Sequence, residues 1–569
     1  MCFFLISAML TGCEADAPRE RQISGNVNLD FFIETQETTE EPQEETQEET
    51  YLLEQQYVMD TKITDKDGTE LINLINGERT FRSGGLLMAG IVNEIAENRI
   101  IGPRITYATT LDTDMTEEIL DIMENAFDGF GLEGCVIVSD MNGKVNAIVN
   151  YTKEKSYFLD GKFLIKEDDE LLEELPNSII IHDAPAEKDG SWNDAGTLYL
   201  KRNLEICHTA EPYHSKNSYI GSTSKIFSSV VMMDNQDQFP ALTNHGNVYY
   251  DKTINDFVYY DRGSISSFQP DDSDTSLSFN PQIYNSDTDA ENPFYSHPIQ
   301  TQLFNASGNV TNAFINSVNT FYANAYLQLK MSDIIRTFNQ YFGLNKFGNH
   351  TTGYTVFCDW AEISQPDLSK IDEIADYPAW VRARLAFGMA SGTYKGGLGN
   401  NDIINFFEIA PVYLNAVSGL IASGNLYQLS VRQDTPITTA YDMPDSGNDY
   451  SSEEALPLKD EYRETMWNLM HKTATHYGLE DTENYAYFVK TGTADDASFK
   501  RLLLTGFVTG NDCADENPEG KVITIFANDG FGISQASDKG TSGFASLLIP
   551  VYQEIAETVM NYEKTDIST

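Results

Sequence analysis

What this chain has little of narrows it first. Six cysteines stand among 569 residues. Cys2, Cys13, Cys135, Cys207, Cys358 and Cys513 form no C-x-x-C pair and no Cys/His spacing suited to gripping a metal, so neither a metal nor another cofactor is expected. Positive charge is sparse too: 37 Lys and Arg stand against 87 Asp and Glu, a formal net charge of -50. Such a surface repels phosphate backbones and excludes nucleic acid as a partner. No G-x-x-x-x-G-K, G-x-G-x-x-G, H-E-x-x-H or G-x-S-x-G word occurs in a fitting context. That removes nucleotide-binding, zinc-protease and Ser-His-Asp hydrolase readings. The one early apolar run is too short to span a bilayer.

What is present suffices for a large core, with 41% hydrophobic and 11% aromatic residues. Length alone suggests about two to four domains. Three short words that carry chemistry are nevertheless spread over the C-terminal portion, so one large domain is read there.

Those words are Ser222-Thr223-Ser224-Lys225, Ser317-Val318-Asn319 and Lys490-Thr491-Gly492-Thr493. Read as S-x-x-K, S-x-N and K-T-G, they spell the site of a serine acyl-transferase that opens amide bonds without a histidine. A serine hydroxyl is a poor nucleophile at neutral pH and needs a base beside it and donors for the oxyanion. If "GSTSKIFSSVVMM" opens a helix, Ser222 and Lys225 emerge on one face, three residues apart. Burial among Ile226, Phe227, Val230 and Val231, beside a second cation, lowers the pKa of Lys225 toward that of a usable base. Free N–H groups of the first helical turn make half an oxyanion hole at Ser222. Lys490 is the second cation, on a strand "YAYFVKTGTA" whose Gly492 lets a substrate backbone approach. Ser317 and Asn319 are expected to bridge the two lysines.

Each word alone is weak. Serine and lysine three apart arise by chance about once or twice in a chain of this size. Ser278-Phe279-Asn280, Ser307-Gly308-Asn309 and Ser423-Gly424-Asn425 compete with Ser317. Ser317 is preferred because "VTNAFINSVNTFYANAYLQL" embeds it in a helical apolar pattern, whereas Ser307-Gly308 reads as a turn.

The three words in order resemble those of the penicillin-binding proteins, the peptidoglycan D,D-transpeptidases, and the likeness runs from about residue 106 to about 562. "ITYATTLDTDMTEEILDIMENAF" resembles the family's threonine, Leu, Asp and long amphipathic helix. "GCVIVSDMNGKVNAIVNY" resembles the hairpin that follows, with Asn142-Gly143 at its turn. "KRNLEICHTAEPYHSKNSYIGSTSKIF" is similar to the approach to the nucleophile and "IAPVYLNAVSGLIASGNL" to the helix near the third word. "LLLTGFVTG" and "KVITIFANDG" resemble the paired strands after it, and "GFASLLIPVYQEIAETVM" the closing helix. Ahead of these, "ITDKDGTEL" and "RTFRSGGLLMAGIVNE" resemble the class B opening strand and arginine-bearing segment, so close together that residues 56–105 read as a reduced pedestal.

The likeness implies an α/β fold of the α+β type, the penicillin-binding-protein transpeptidase fold. A helical region and an antiparallel sheet leave a catalytic cleft between them over residues 106–565. It further implies that Ser222 attacks the penultimate D-alanine carbonyl of a stem peptide while Lys225 takes its proton. Ser222 and Thr493 N–H groups hold the oxyanion, Ser317 and Lys490 relay the proton to the leaving D-alanine, and Thr491 and Thr493 hydroxyls bind the terminal carboxylate. Peptidoglycan stem peptides are the implied substrate and partner, β-lactams the inhibitors, and wall-elongation or division proteins the assembly partners.

D,D-carboxypeptidase action, with water as acceptor, and a non-catalytic wall-assembly scaffold or β-lactam sensor stay open as alternatives. A β-lactamase needs a deacylating base, and no convincing E-x-x-L-N follows Ser317. Between the first two words, an insertion at about residues 234–300 is polar, aromatic and turn-rich; it reads as a feature of the cleft mouth or as a surface excursion without a role. The segment "ADDASFKRLLL" lacks an aromatic residue the family often places there, which bears on substrate preference.

At the N-terminus, "MCFFLISAMLTGCEADAPRE" reads as a secretion signal without leading positive charge. Leu10-Thr11-Gly12-Cys13 resembles a lipobox, which implies lipidation of Cys13 and residence on the outer face of a bacterial cell membrane. Residues 14–55, with "ETQETTEEPQEETQEET", have no apolar periodicity and are expected to be an extended acidic tether.

Overall fold

Two five-stranded sheets organise the chain. The computed structural model describes residues 60–75, 78–81, 88–99, 105–127, 132–151, 156–159, 162–165, 179–182, 213–215, 217–239, 248–252, 255–259, 308–343, 348–349, 354–355, 358, 360, 363–364, 385–388, 391–394, 402–405, 408–434, 456–496, 499–511, 520–529 and 547–566. The expected signal with Cys13, the acidic tether and most of the insertion lie outside them. The chain separates into Met1–Tyr57 and Val58–Thr569, and every described residue belongs to the second unit.

The first sheet gathers β1 (Asp60–Thr64), β2 (Glu70–Ile75), β3 (Glu78–Phe81), β4 (Ile105–Ala108) and β7 (Ile179–His182) in the order β4-β1-β2-β3-β7. β1 to β3 form a meander, and β4 returns parallel to β1 after helix α1 (Ala89–Arg99). The sheet therefore crosses residue 105, where the reduced pedestal was expected to end.

The second sheet runs β11-β12-β13-β5-β6, formed by Tyr485–Asp496, Phe499–Gly510, Gly520–Asp529, Leu132–Asp140 and Val145–Tyr151. All four pairings are antiparallel. Its strands are continuous apolar runs because both faces are covered. Helix α7 (Pro411–Ser423) lies over β5, β12 and β13 and is buried nearly all round, with Pro411 opening it and Gly424 closing it at φ 85°. Its buried polar groups are satisfied by the sheet: Ser139 Oγ donates to Asn415 Oδ1 at 2.7 Å, and Ser418 meets Thr505 at 2.7 Å. Beside it, α8 (Asp460–His476) sets Trp467 against Phe488 and Phe507, which stack at 4.5 Å. The closing helix α9 (Leu548–Asp566) covers the other face, where Tyr487 donates to Glu557, and packs on α2 (Thr113–Phe127).

β11 is thus an edge strand, and Lys490 and Gly492 project to the α8 side of it. On that side lie the helices α3 (Lys225–Asp234), α4 (Val310–Ile315), α5 (Asn319–Leu327) and α6 (Met331–Phe342). Helices and antiparallel sheet make the α+β class the sequence leads one to expect. Cys135 is wholly buried in β5, and desolvation pushes its thiol far up.

Candidate active site

Ser222 lies in a short 3-10 turn, Gly221–Ser224, that runs directly into α3 at Lys225. A 3-10 turn eclipses side chains three apart, so the S-x-x-K spacing stacks the two groups more directly than an α-helix does. Lys225 Nζ is 2.7 Å from Ser222 Oγ. Thr223 secures the turn by donating both its hydroxyl (2.7 Å) and its N–H (3.2 Å) to Ile220 O. Behind it, Ile226, Phe227, Val230 and Val231 are fully buried, with Phe227 4.6 Å from Phe342 between ring centres. Ser228 donates to Ala386 O at 2.7 Å, tying α3 to the segment at 385–388.

The second word is not inside a helix. α4 ends at Ile315, Ser317 N–H donates to Phe314 O at 3.2 Å, and Val318 N–H donates to Ala313 O at 2.8 Å. Those two bonds make a Schellman cap, with Ser317 in the left-handed position (φ 53°) that glycine usually fills. The apolar pattern that seemed to continue through Ser317 belongs to two helices, α4 and α5, and the serine is the hinge between them. Asn319 opens α5 and accepts from Lys225 Nζ at 2.7 Å, while Ser317 Oγ accepts from Lys490 Nζ at 2.6 Å. The expected bridge is therefore divided, one residue to each lysine.

On β11, Lys490 also donates to the Thr491 carbonyl at 3.0 Å. Gly492 faces the nucleophile turn so closely that a Cβ there would stand 2.7 Å from Ile220 O. Thr491 is only 2% exposed, and its hydroxyl donates to Tyr477 at 3.4 Å. Of the two threonines expected to receive a carboxylate, only Thr493 is partly open to solvent.

Both amines are wholly buried, and among the described residues no carboxylate pairs with either. Aromatic faces stand in: Lys225 lies 5.8 Å from the Tyr322 ring centre and Lys490 5.3 Å from that of Phe314. Desolvation, and after it the charge of Lys490, hold Lys225 well below the usual lysine range. Desolvation alone brings Lys490 down to about 7. A free amine beside a serine hydroxyl is the arrangement that general-base activation needs.

Sequence reasoning missed Gly221 and Gly388. Gly388, at φ 76°, presses on the nucleophile turn from the side away from β11: a Cβ on it would lie 2.3 Å from Gly221 O and 3.0 Å from Ser224 Cβ. Gly221, at φ 50°, faces the other way, its own absent Cβ pointing 2.5 Å from Thr493 O. Three chain segments thus meet at the residue before the nucleophile. The only sequence signal was the glycines themselves. Among the described residues no group of His, Cys, Asp and Glu side chains is arranged to hold a metal, and no helix is long and apolar enough to cross a membrane.

A helical layer and an antiparallel edge strand, closing on two buried lysines and two serines, define the fold class by geometry. Solved structures supply the comparison. Penicillin-binding protein 2 of Pseudomonas aeruginosa, solved in complex with WCK 5153, is similar over 88% of this chain and 95% of that one, at 13% identity and a TM-score of 0.51. The D,D-transpeptidase domain of a peptidoglycan glycosyltransferase from Eggerthella lenta is similar over 89% of this chain and 99% of that one, at 13% identity and a TM-score of 0.48. No protein-family model and no curated protein matches the sequence. The chain has the transpeptidase fold of the penicillin-binding proteins.

Proposed function

We propose that the chain is a peptidoglycan D,D-transpeptidase that works through a serine acyl-enzyme and is acylated by β-lactams. One observation carries the reading: two wholly buried amines, unpaired with any described carboxylate, each within 2.6–2.7 Å of a serine hydroxyl at one glycine-bearing strand. Burying an amine without a counter-ion is costly and adds nothing to packing, so the cost has to be offset by function.

In this reading Ser222 Oγ attacks the carbonyl of the penultimate D-alanine as its proton passes to the free amine of Lys225. The C–O bond forms, and the oxyanion is held by the Ser222 and Thr493 N–H groups. The C–N bond then breaks as a proton, relayed through Ser317 and Lys490, reaches the departing D-alanine nitrogen. A stem-peptide amine next displaces Ser222 and completes the cross-link. Thr493 is the better candidate for the substrate carboxylate, because the Thr491 hydroxyl is engaged by Tyr477. Asn319 keeps the Lys225 amine aimed at Ser222. In a wall setting the natural companions are elongation or division proteins, and lipidation at Cys13 is the proposed attachment to the outer face of the membrane.

Fluorescent penicillin tests the reading. A stable covalent band in a denaturing gel, lost in Ser222→Ala, is expected. Rapid loss of label indicates a β-lactamase, and no band at any time indicates a non-catalytic scaffold. Product analysis with paired donor and acceptor stems separates cross-linking from carboxypeptidase action.

A further inference from the structure

The described part of the insertion between the first two words is built into the core. β8 (Val248–Asp251) and β9 (Asp256–Tyr259) form a hairpin, and β10 (Gly308–Asn309) adds to β9 as a third strand. Val248, Tyr249, Tyr250, Phe257 and Val258 are buried. The Phe257 ring lies 5.0 Å from Phe239 and 5.0 Å from Tyr250.

β10 is the last turn of chain before α4, and α4 ends at the Schellman cap that holds Ser317. At the start of β9 the Asp256 carboxylate accepts the Phe257 N–H at 2.7 Å. The Asn309 side chain and the Val310 N–H face the same carboxylate and favour its charged form. Asn309 in turn caps α4, its Oδ1 accepting the Asn312 N–H at 3.0 Å. One carboxylate therefore faces the junction where the strand paired with Val258 becomes the helix of the second word. α4 is too short to absorb a rotation at its head, and Ser317 sits in a backbone conformation that costs about 1 kcal/mol and persists only while its surroundings hold it. Lys472 from α8 and Asp251 across the hairpin are the other charged groups near Asp256.

We infer that Asp256 is a positioning residue: by fixing the head of α4 it sets where Ser317 meets Lys490, and the 248–259 hairpin serves the second word from behind. The consequence for rate rests on the acyl-transferase reading; the consequence for Lys490 does not.

The test uses the full chain carrying Asp256→Ala, Asp256→Asn or Asn309→Asp, with two readouts. One is the rate of acylation by fluorescent penicillin. The other is titration of the Lys490 amine by NMR of labelled lysine, which needs no catalysis. Asp256→Ala is expected to slow acylation on the order of tenfold, the rate factor that corresponds to one helix-cap contact's free energy. The Lys490 amine should then titrate at higher pH, because water replaces Ser317 beside it. Asp256→Asn keeps an acceptor oxygen and should stay within about threefold of wild type. Asn309→Asp preserves the cap for Asn312 but sets a second carboxylate against Asp256, and should reproduce Asp256→Ala; it decides the matter if Asp256→Ala does not fold. Wild-type rate with unmoved Lys490 titration in Asp256→Ala and Asn309→Asp overturns the inference. If wild type takes no penicillin while the Lys490 titration still moves in the variants, the positioning role stands and the acyl-transferase reading falls.

Discussion

Two amine–hydroxyl pairs of almost the same length meet in this cleft, and they are made in opposite ways. Ser222 and Lys225 are three residues apart, and their 2.7 Å contact follows from one turn of helix buried against Phe227 and its neighbours. Ser317 and Lys490 are 173 residues apart, and their 2.6 Å contact exists only because a helix cap and a sheet edge arrive at the same place. The first pair is a property of local geometry that packing protects. The second is a property of packing itself, reached through a strained serine. The near pair should therefore respond to changes at the turn and at the two groups that touch it, Gly388 and Asn319, while the far pair should register disturbance anywhere along α4, β11 or the hairpin behind them.

Replacing the amine of the near pair, Lys225→Met, should slow acylation by about 10³-fold or more, the upper range for loss of a general base. Ser317→Ala in the far pair should cost less, about 10²-fold, since it interrupts a relay and leaves nucleophile and base in place. Time courses of penicillin labelling measure both, and equal losses would erase the distinction. Gly388→Ala drives a Cβ toward the Gly221 carbonyl and forces a left-handed backbone on alanine. Chemical denaturation should show a loss of about 2 kcal/mol.

Protonation separates the pairs further. Acylation needs the free amine of Lys225, held well below the usual lysine range by burial and the charge of Lys490, so the rate should hold at neutral pH and fall as acid protonates that amine. Folding follows the same sign: the Lys490 pKa is lower in the folded chain, so the unfolded chain binds more protons between about 7 and the ordinary lysine value, and stability rises with pH across that window. Lys490→Met should flatten that rise while abolishing turnover, a result read by melting at several pH values. The smallest effect concerns the backbone alone. Ser317→Gly and Ser317→Ala lose the same hydroxyl, yet the glycine variant should be more stable by about 1 kcal/mol because φ 53° suits it.

The near pair was readable from spacing, because three residues on a helical turn fix a distance whatever the rest of the chain does. The strands after Thr493 and the helix at 411–423 were readable through the likeness of their segments to those of the penicillin-binding proteins. Ser317 was readable as the serine of the second word but not as a cap, since the apolar pattern on both sides is helical and the break between α4 and α5 leaves no mark except the serine and asparagine themselves. Nothing local tells that residues 385–388 fold over Gly221, or that Tyr477 takes the Thr491 hydroxyl; both depend on contacts across more than a dozen residues. The hairpin at 248–259 was obscured for another reason. Its tyrosines look like loop residues until packing in the fold buries Tyr249 and Tyr250 in succession.

Peptide mapping by mass spectrometry after exposure to benzylpenicillin tests the account at its centre. A single adduct on the peptide carrying Ser222, forming more slowly in acid and not detected in Lys225→Met over the same exposure, is the predicted result. An adduct on another residue, or full labelling of the Lys225→Met chain, would contradict it.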